Sequence, residues 1–432
     1  MVKVLYQNKK NFSSDFTKLL KKRDKEDNLI ANKVRNIIND VRKNDDDAIL
    51  KYTRKFDKLS VKKISEIIVT KKEIDLLSRS VNKSVILSLK NAISRIKSYH
   101  KKQFPKDNFY KDKEGVLLGG IWNPVDSVGL YVPGGKAAYP SSLIMNAVPA
   151  IVAGVERITI TVPATNGKLN PIILACAKLL GINEIYKIGG AQAITALAYG
   201  TKTIKKVDKI VGPGNAFVAA AKKQVFGQVG IDMIAGPSEI LVLADKENNP
   251  DHIAIDLLSQ AEHDVLAQSI LITDNLEFSR MVIKSVDKYL TYLNRKEIAS
   301  KSWKNFGAII ISKSLMSAFE LINQIAPEHL ELAIKSPHKY IKNIKNAGAI
   351  FLGRYTPEAI GDYVAGPNHV LPTDRTARFS SGLNLLDFFK RTSVVSCNKK
   401  NLNIIGKDAI KLAYEEGLQA HALSIECRIK NN

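Results

Sequence analysis

From about residue 115 onward, short apolar segments rich in β-branched residues alternate with stretches of helical periodicity. Such alternation is typical of parallel sheets whose crossover helices cover both faces. The turn-rich sequence AGPSE at 235–239 separates two groups of these segments, so we predict two α/β domains rather than one large sheet. The segments predicted as strands are SVGLYV, RITITV, EIYKI, KVDKIV, EILVLA, QSILIT, GAIIIS and AIFLG.

Helical segments flank these two domains. Residues 11–105 carry amphipathic spacing, for example at Val34, Ile37, Ile38 and Val41, and the stretch from Lys407 onward is helical again. We therefore expect a helical N-terminal region at 1–110, a first α/β domain at 111–235, a second at 236–380 and a helical C-terminal tail at 381–432.

The cysteine content and the hydropathy of the chain indicate the cellular compartment in which it is expected. The chain has three cysteines and no CxxC pair, which excludes a disulfide framework or a thiolate zinc site and favours a reducing cytoplasm. No apolar run approaches the roughly 20 residues that a membrane-spanning helix needs, and the first residues lack the apolar core of a signal peptide. We expect no membrane partner.

The net charge raises the alternative of a nucleic-acid-binding protein. The 432 residues include 65 Lys and Arg against 42 Asp and Glu, for a formal charge of +23, and a basic surface attracts phosphate. The basic residues are scattered among acidic ones, however, and aromatic residues do not interleave with them as in a stacking platform. The sequence favours solvated basic faces and no nucleic-acid partner.

Gly-rich turns are concentrated in the first predicted α/β domain. They are VPGGK at 132–136, GGAQ at 189–192 and GPGN at 212–215, and each follows a predicted strand and precedes a helix. Glycines at this point let the backbone approach a phosphate at the N-terminus of the helix. None of the turns spells GxGxxG or the GK[ST] of a P-loop, and each alone is typical of a tight structural turn. Together they indicate a nucleotide pocket.

Several polar motifs occur in the second half of the chain. Gln260 and His263 are three residues apart and share one helix face, where an amide oxygen and an imidazole nitrogen could bind one metal ion. Glu328 and His329 place a carboxylate beside an imidazole after a proline, a pair suited to proton transfer. The others are Asp362 and His369 in the loop GDYVAGPNH, and Glu416 and His421 near the C-terminus.

Oxygen and nitrogen donors of this kind suit zinc, or another borderline divalent ion, better than magnesium. The candidate ligands are Gln260, His263, Asp362 and His421, although spacing alone does not show that they converge. His100, His252 and His338 are interpreted as surface or capping residues, and Cys176 as a buried core residue.

The chain from about residue 30 to 428 resembles the histidinol dehydrogenase family. The resemblance rests on motifs that occur in one order, namely GLYVPGGKAAYPSS, GGAQAI, VGPGNAFV, DMIAGPSE, SQAEHD, APEHLEL, GDYVAGPNHVLPT, ARFSSGL and EGLQAHA. It implies two Rossmann-like parallel-sheet domains that bind NAD differently from a standard Rossmann domain. It also implies a homodimer with shared active sites, NAD and one zinc ion per subunit, and oxidation of L-histidinol to L-histidine through the aldehyde.

The resemblance also implies roles for individual residues. The zinc ligands would be Gln260, His263, Asp362 and His421, the catalytic acid/base pair Glu328 and His329, and the dinucleotide contacts Tyr131, Gln192 and Asn215. The substrate contacts would be Ser238, Gln260, His263, His329, Asp362, His369, Glu416 and His421, the last two reaching the partner subunit's site from the tail.

Two other classes of function remain open at this point. A zinc hydrolase would use the same His, Asp and Glu residues with a metal-activated water, but it leaves the Gly-rich turns unexplained. A nucleic-acid-binding protein would explain the charge and none of the motifs.

Overall fold

The computed structural model describes residues 2–21, 28–134, 139–164, 167–234 and 236–429. The strands are β1 Lys3–Tyr6, β2 Asn108–Lys111, β3 Leu117–Pro124, β4 Ser127–Tyr131, β5 Arg157–Thr161, β6 Glu184–Tyr186, β7 Lys209–Val211, β8 Gly230–Ile231, β9 Glu239–Ala244, β10 Gln268–Thr273, β11 Ala308–Ile311, β12 His329–Ala333, β13 Ala349–Leu352 and β14 Phe389–Ser396. The α-helices are α1 Phe12–Leu20, α2 Asn28–Tyr52, α3 Lys71–Ser78, α4 Lys83–Lys101, α5 Pro140–Ala153, α6 Pro171–Leu180, α7 Gly190–Tyr199, α8 Ala216–Val225, α9 Pro250–Ala261, α10 Leu276–Leu290, α11 Lys296–Phe306, α12 Leu315–Ile325, α13 Glu358–Tyr363, α14 Lys399–Glu415 and α15 Gln419–Ile429.

The first sheet has the strand order β6-β5-β4-β7-β8, and every pairing in it is parallel. The strand order reverses between β4 and β7, which creates a switch point of the kind where open α/β sheets bind ligands at the carboxyl ends of their strands. Helices cover both faces, with α5 and α6 on one core cluster and α2, α7 and α8 on the other. Both faces are thus covered, and the central strand β4 is buried at every residue.

The second sheet has the order β1-β11-β10-β9-β12-β13 and is also parallel throughout. Helices α1 and α12 cover one face, and α9, α10 and α11 cover the other. Asn249 begins α9 because its side chain accepts a hydrogen bond from the amide of Asp251, and Pro250 occupies the first helical position.

The two expected parallel sheets, with helices at both ends of the chain, are therefore present, and all eight predicted apolar segments contain a strand. The sequence analysis did not anticipate β1, whose partner β11 is some 300 residues away, the strands β8 and β12, or a small antiparallel sheet of order β14-β3-β2. The divisions at residues 110, 235 and 380 stay predictions. Within the described ranges, no helix is both long and apolar enough to cross a membrane.

Candidate active site

The catalytic and metal-binding residues predicted in the second domain gather at the amino ends of β9 and β12. His329 is the first residue of β12, and Glu239 is the first residue of β9, the neighbouring parallel strand. Helix α9 brings Gln260 to this edge in its last turn. This location differs from that of the first sheet, where the Gly-rich turns follow the carboxyl ends of the strands.

The backbone of Glu239 holds both members of the predicted acid/base pair. Its amide donates to Oε2 of Glu328 at 2.7 Å, and its carbonyl oxygen lies 2.9 Å from Nδ1 of His329. Both side chains are buried, and Nδ1 of His329 lies 3.7 Å from Oε2 of Glu328. Ser238, a predicted substrate contact, directly precedes Glu239 and is partly buried.

The contact with Glu239 determines the tautomer of His329. A carbonyl oxygen only accepts hydrogen bonds, so Nδ1 carries the proton and Nε2 has the free lone pair. Nε2 is buried and without a hydrogen-bond partner among the described residues. Burial lowers the pKa of His329, which keeps the ring neutral and able to accept a proton at Nε2.

The pKa of Glu328 is shifted in the opposite direction. Burial, followed by the nearby charge of Glu239, raises the pKa of Glu328 well above its usual range. A carboxylate in this environment is a stronger base than one in water, because the charged form is poorly solvated.

Helix α13 brings two more carboxylates to His329. Glu358 Oε1 lies 3.7 Å and Asp362 Oδ1 3.9 Å from Nε2 of His329. Burial, and then the charge of Asp362, raises the pKa of Glu358 to about 9. His369, whose pKa is lowered by burial, directs Nδ1 to the Asp362 carbonyl oxygen at 3.1 Å, with Asp362 Oδ1 at 3.6 Å.

Gln260 and His263 lie beside each other, although α9 ends at Ala261 and His263 follows it in a turn, where its amide donates to the carbonyl oxygen of Gln260. Nε2 of Gln260 is 3.4 Å from Nδ1 of His263, and its Oε1 is buried with no partner among the described residues. The charge of His263 also influences the pKa of both His329 and His369, which places it near them. A buried, unpartnered amide oxygen close to imidazoles and a carboxylate fits a divalent metal ion.

The most compact group of potential metal-ligand atoms differs from the predicted zinc ligands. The ligand atoms of His329, Glu358 and Asp362 all lie within 4.8 Å of one another, so that Asp362 alone is shared with the predicted zinc ligands. The contact with Glu239 leaves Nε2 of His329 with a free lone pair, which suits either a base or a metal ligand.

A cavity of about 370 Å³ opens beside these residues. His329, Asp362 and His369 line one part of it, and Tyr99 and Asn384 line another. Asn368 donates to the carbonyl oxygen of Met145 in α5 at 2.6 Å, which anchors to the first α/β unit the loop that follows α13 and carries His369. The site therefore lies where the two units meet.

The predicted dinucleotide contacts lie at the switch point of the first sheet. Tyr131 ends β4, and its hydroxyl accepts a hydrogen bond from the amide of Gly190 at 3.1 Å. Both amide atoms of Gln192 are buried without a partner among the described residues. Asn215 is exposed and caps α8 through the amides at 217 and 218. Gly135 and Lys136 of the first turn lie outside the described residues.

A buried ion pair holds the GPGN turn in place. Lys222 Nζ donates to the carbonyl oxygen of Gly212 at 3.1 Å and pairs with Asp232, which accepts from the amide of Gly212 at 2.8 Å. Gly212 has φ of +119°, and a Cβ there would lie 2.1 Å from the carbonyl oxygen of Tyr131. Only glycine fits this approach, which joins the turn to the end of β4.

Glu416 and His421 lie apart from the other predicted site residues. Both are exposed, at the junction of α14 and α15 in the tail. No contact described for this chain joins His421 to Gln260, His263 or Asp362. The tail also exposes large apolar side chains, including Leu412 at 63% and Leu423 at 47%.

Sequence reasoning missed two residues that shape the site. Glu358 is four residues before Asp362, and this spacing on one helix face is a signal that the sequence does contain. Glu239 acts on Glu328 and His329 through its backbone atoms, for which no pattern of side chains gives a signal.

Comparisons with known proteins agree with this architecture. The histidinol dehydrogenase family model matches residues 20–429. The chain is 55% identical over 396 residues to histidinol dehydrogenase of Agrobacterium fabrum, covering 92% of this chain and 91% of the relative. It is 52% identical over 429 residues to that of Brucella abortus, covering 99% of this chain and 100% of the relative.

A solved structure shows the same fold. The crystal structure of histidinol dehydrogenase from Elizabethkingia anophelis superposes with a TM-score of 0.94 at 38% identity, covering 99% of this chain and 98% of that one. The chain therefore belongs to the histidinol dehydrogenase family, whose reaction is the last step of histidine biosynthesis.

Proposed function

We propose that this chain oxidises L-histidinol to L-histidine through the aldehyde, with NAD as the oxidant and one zinc ion per subunit, as a cytoplasmic homodimer. The observation that carries the proposal is the orientation of His329, whose Nε2 is the unprotonated nitrogen and faces the carboxylates of α13. Removing a proton from an alcohol in a buried site requires a base in this state.

In the first oxidation, Nε2 of His329 accepts the proton of the substrate hydroxyl. Its Nδ1–H remains bonded to the Glu239 carbonyl oxygen, which keeps the ring oriented while its charge changes. The nearby carboxylate of Asp362 stabilises the imidazolium that results.

In the second oxidation, Glu328 takes a proton from the water that adds to the aldehyde. Burial makes this carboxylate a stronger base, and the amide of Glu239 holds Oε2 in a fixed position. Two neighbouring bases with different environments thus divide the two proton transfers between them.

For the metal, we propose Gln260, His263 and Asp362 from one chain and His421 of the tail as ligands. The buried, unpartnered Oε1 of Gln260 supports this assignment. A bound zinc ion would hold the imidazole and amino groups of the substrate and so orient it. Ser238, His369 and Glu416 are proposed as further substrate contacts.

For NAD, we propose contacts from Tyr131, Gln192 and Asn215 at the switch point of the first sheet. A bound NAD would accept the hydride in each oxidation. The buried amide of Gln192 supports the assignment, because an unpartnered amide is costly unless a ligand completes its hydrogen bonds.

The exposed positions of Glu416 and His421 support the proposal that they act in the partner subunit's site. Exposed apolar side chains on the same tail fit a surface covered by a second copy of the chain. The zinc hydrolase is less well supported, because it has no use for the turns that hold Gln192 and Asn215.

The experiment is a histidinol oxidation assay on metal-free and zinc-reloaded protein, with metal content measured in parallel. We expect NADH to form only in the reloaded protein and chelation to abolish it. Full turnover by protein shown to be metal-free by elemental analysis would overturn the zinc assignment, and no turnover in either state would overturn the reaction.

A further inference from the structure

Glu331 is a buried carboxyl that the proposed reaction does not use. It lies two residues after His329 on β12, so both side chains project from the same face of the sheet. The side chains of Leu330 and Leu332 on the opposite face pack in the apolar core with α12. Glu331 thus occupies a position where an isolated charge would be strongly unfavourable.

Two hydrogen bonds compensate for the cost of burying the Glu331 carboxyl group. One carboxyl oxygen, Oε1, accepts from the amide of Glu358, the first residue of α13. The carboxyl group is also hydrogen-bonded to that of Asp256 in α9. Two carboxyl groups bond in this way only when they share a proton, and burial raises the pKa of Glu331 well above its usual range and that of Asp256 to about 6. One proton is therefore shared between Glu331 and Asp256.

These bonds join the three elements that carry the site. Asp256 is one helical turn before Gln260 on α9, and Glu358 is one turn before Asp362 on α13. Glu331 itself is on the strand that begins with His329. A second contact, between Ser259 Oγ and Glu358 Oε2 at 3.4 Å, connects α9 and α13 at the same place.

We propose that Glu331 is a positioning residue that holds α9 and α13 against β12 and so keeps Gln260 and Asp362 beside His329. The inference rests on the proposed function, in which Gln260 and Asp362 bind zinc. Side chains that orient metal ligands from behind typically change metal affinity about 10–100-fold when they are removed.

The test compares two variants of Glu331. Glu331→Met keeps the length of the side chain but removes both hydrogen bonds. Glu331→Gln has an amide that accepts from the amide of Glu358 and donates to the carboxylate of Asp256. The matched control is Leu332→Ala, which weakens the same strand from its opposite face. The measurements are zinc retention against graded chelator, and kcat and KM for histidinol. In metal-free protein, hydrogen exchange at residues 358–363 is measured as well.

We expect Glu331→Met to lose zinc at chelator concentrations about tenfold lower than wild type, with a raised KM and faster exchange in α13. Glu331→Gln should restore zinc retention to within about threefold of wild type, and Leu332→Ala should lower the melting temperature while retaining zinc. Should Glu331→Met fail to fold, Asp256→Ala breaks the same pair from its partly exposed side and should give the same loss.

Three results would overturn the inference. Wild-type zinc retention in Glu331→Met or Asp256→Ala would show that positioning does not depend on this carboxyl. If Glu331→Gln loses as much zinc as Glu331→Met, the acidic proton rather than the pair of hydrogen bonds is responsible. If Leu332→Ala loses as much zinc as Glu331→Met, the effect comes from general destabilisation of the strand. If wild-type protein binds no zinc, the proposed function fails, while the exchange rates in metal-free protein still decide whether Glu331 holds α13.

Discussion

Nδ1 of His329 lies 2.9 Å from the carbonyl oxygen of Glu239, and the amide of the same Glu239 lies 2.7 Å from Oε2 of Glu328. One residue at the start of β9 therefore orients both proposed bases. Because this orientation comes from backbone atoms, we expect it to persist when the side chains at 328 or 329 are replaced conservatively.

Replacing His329 with Asn should lower kcat by roughly 10²–10⁴ with a modest change in KM. Asn keeps some hydrogen bonding but has no atom that accepts a proton at neutral pH. Steady-state kinetics with histidinol and NAD measures the effect. Turnover within a few-fold of wild type would place the base elsewhere.

Replacing Glu328 with Gln should impair the second oxidation more than the first. The amide still accepts from Glu239 but does not take a proton from water, so the aldehyde should be oxidised poorly while histidinol is still converted to it. Separate assays with each substrate test this division. Equal losses on both would contradict it.

Asp57 should make stability depend on pH. Its Oδ2 accepts from the amide of Gly189 at 3.3 Å, and burial raises its pKa from 3.8 to about 6. The folded state then binds more protons than the unfolded state between these values, so Asp57 makes stability fall as pH rises from about 4 to 6. Asp57→Asn should therefore raise the free energy of unfolding at pH 8, by on the order of 1–3 kcal/mol, and change it little at pH 4.

The control is Asp40, whose pKa is lowered to about 2 by hydrogen bonds from Lys51, Asn44 and Tyr52. Asp40→Asn should lose stability at neutral pH, in the opposite direction. Denaturant unfolding at both pH values measures the two effects. A loss of stability in Asp57→Asn at pH 8 would mean that the charge on Asp57 is favourable.

The C-terminal tail of each subunit should complete the active site of the partner subunit. A His329→Asn chain and a His421→Ala chain, each inactive alone, should recover about a quarter of wild-type activity when refolded together. Random pairing makes about half of the dimers mixed, and each mixed dimer has one intact site. Absence of recovery, despite mixed dimers shown by mass spectrometry, would place His421 in the site of its own chain.

The sequence predicted eight strands of the parallel sheets because their segments are short, apolar and rich in β-branched residues, as in EILVLA of β9, which is buried along its whole length. It did not predict β8 and β12 of these sheets, nor β1 and β14. The partner of β1 is far away in the chain, and β14 is largely exposed, so neither has a local signal of its sheet.

The site was predictable where a motif carries the chemistry in its side chains. The spacing of Gln260 and His263, and the adjacency of Glu328 and His329, indicated groups that lie together in the structure. The roles of Glu239 and Glu331 depend on tertiary hydrogen bonds to other elements. Sequence spacing contains no information on such bonds.

The proposed reaction is tested by the stoichiometry of NADH formed per histidinol consumed by the zinc-loaded protein. Oxidation of an alcohol to an acid removes four electrons, and each NAD accepts two, so we expect two NADH for every histidinol and histidine as the product. One NADH per histidinol with accumulating aldehyde, or no NADH at all, would contradict it.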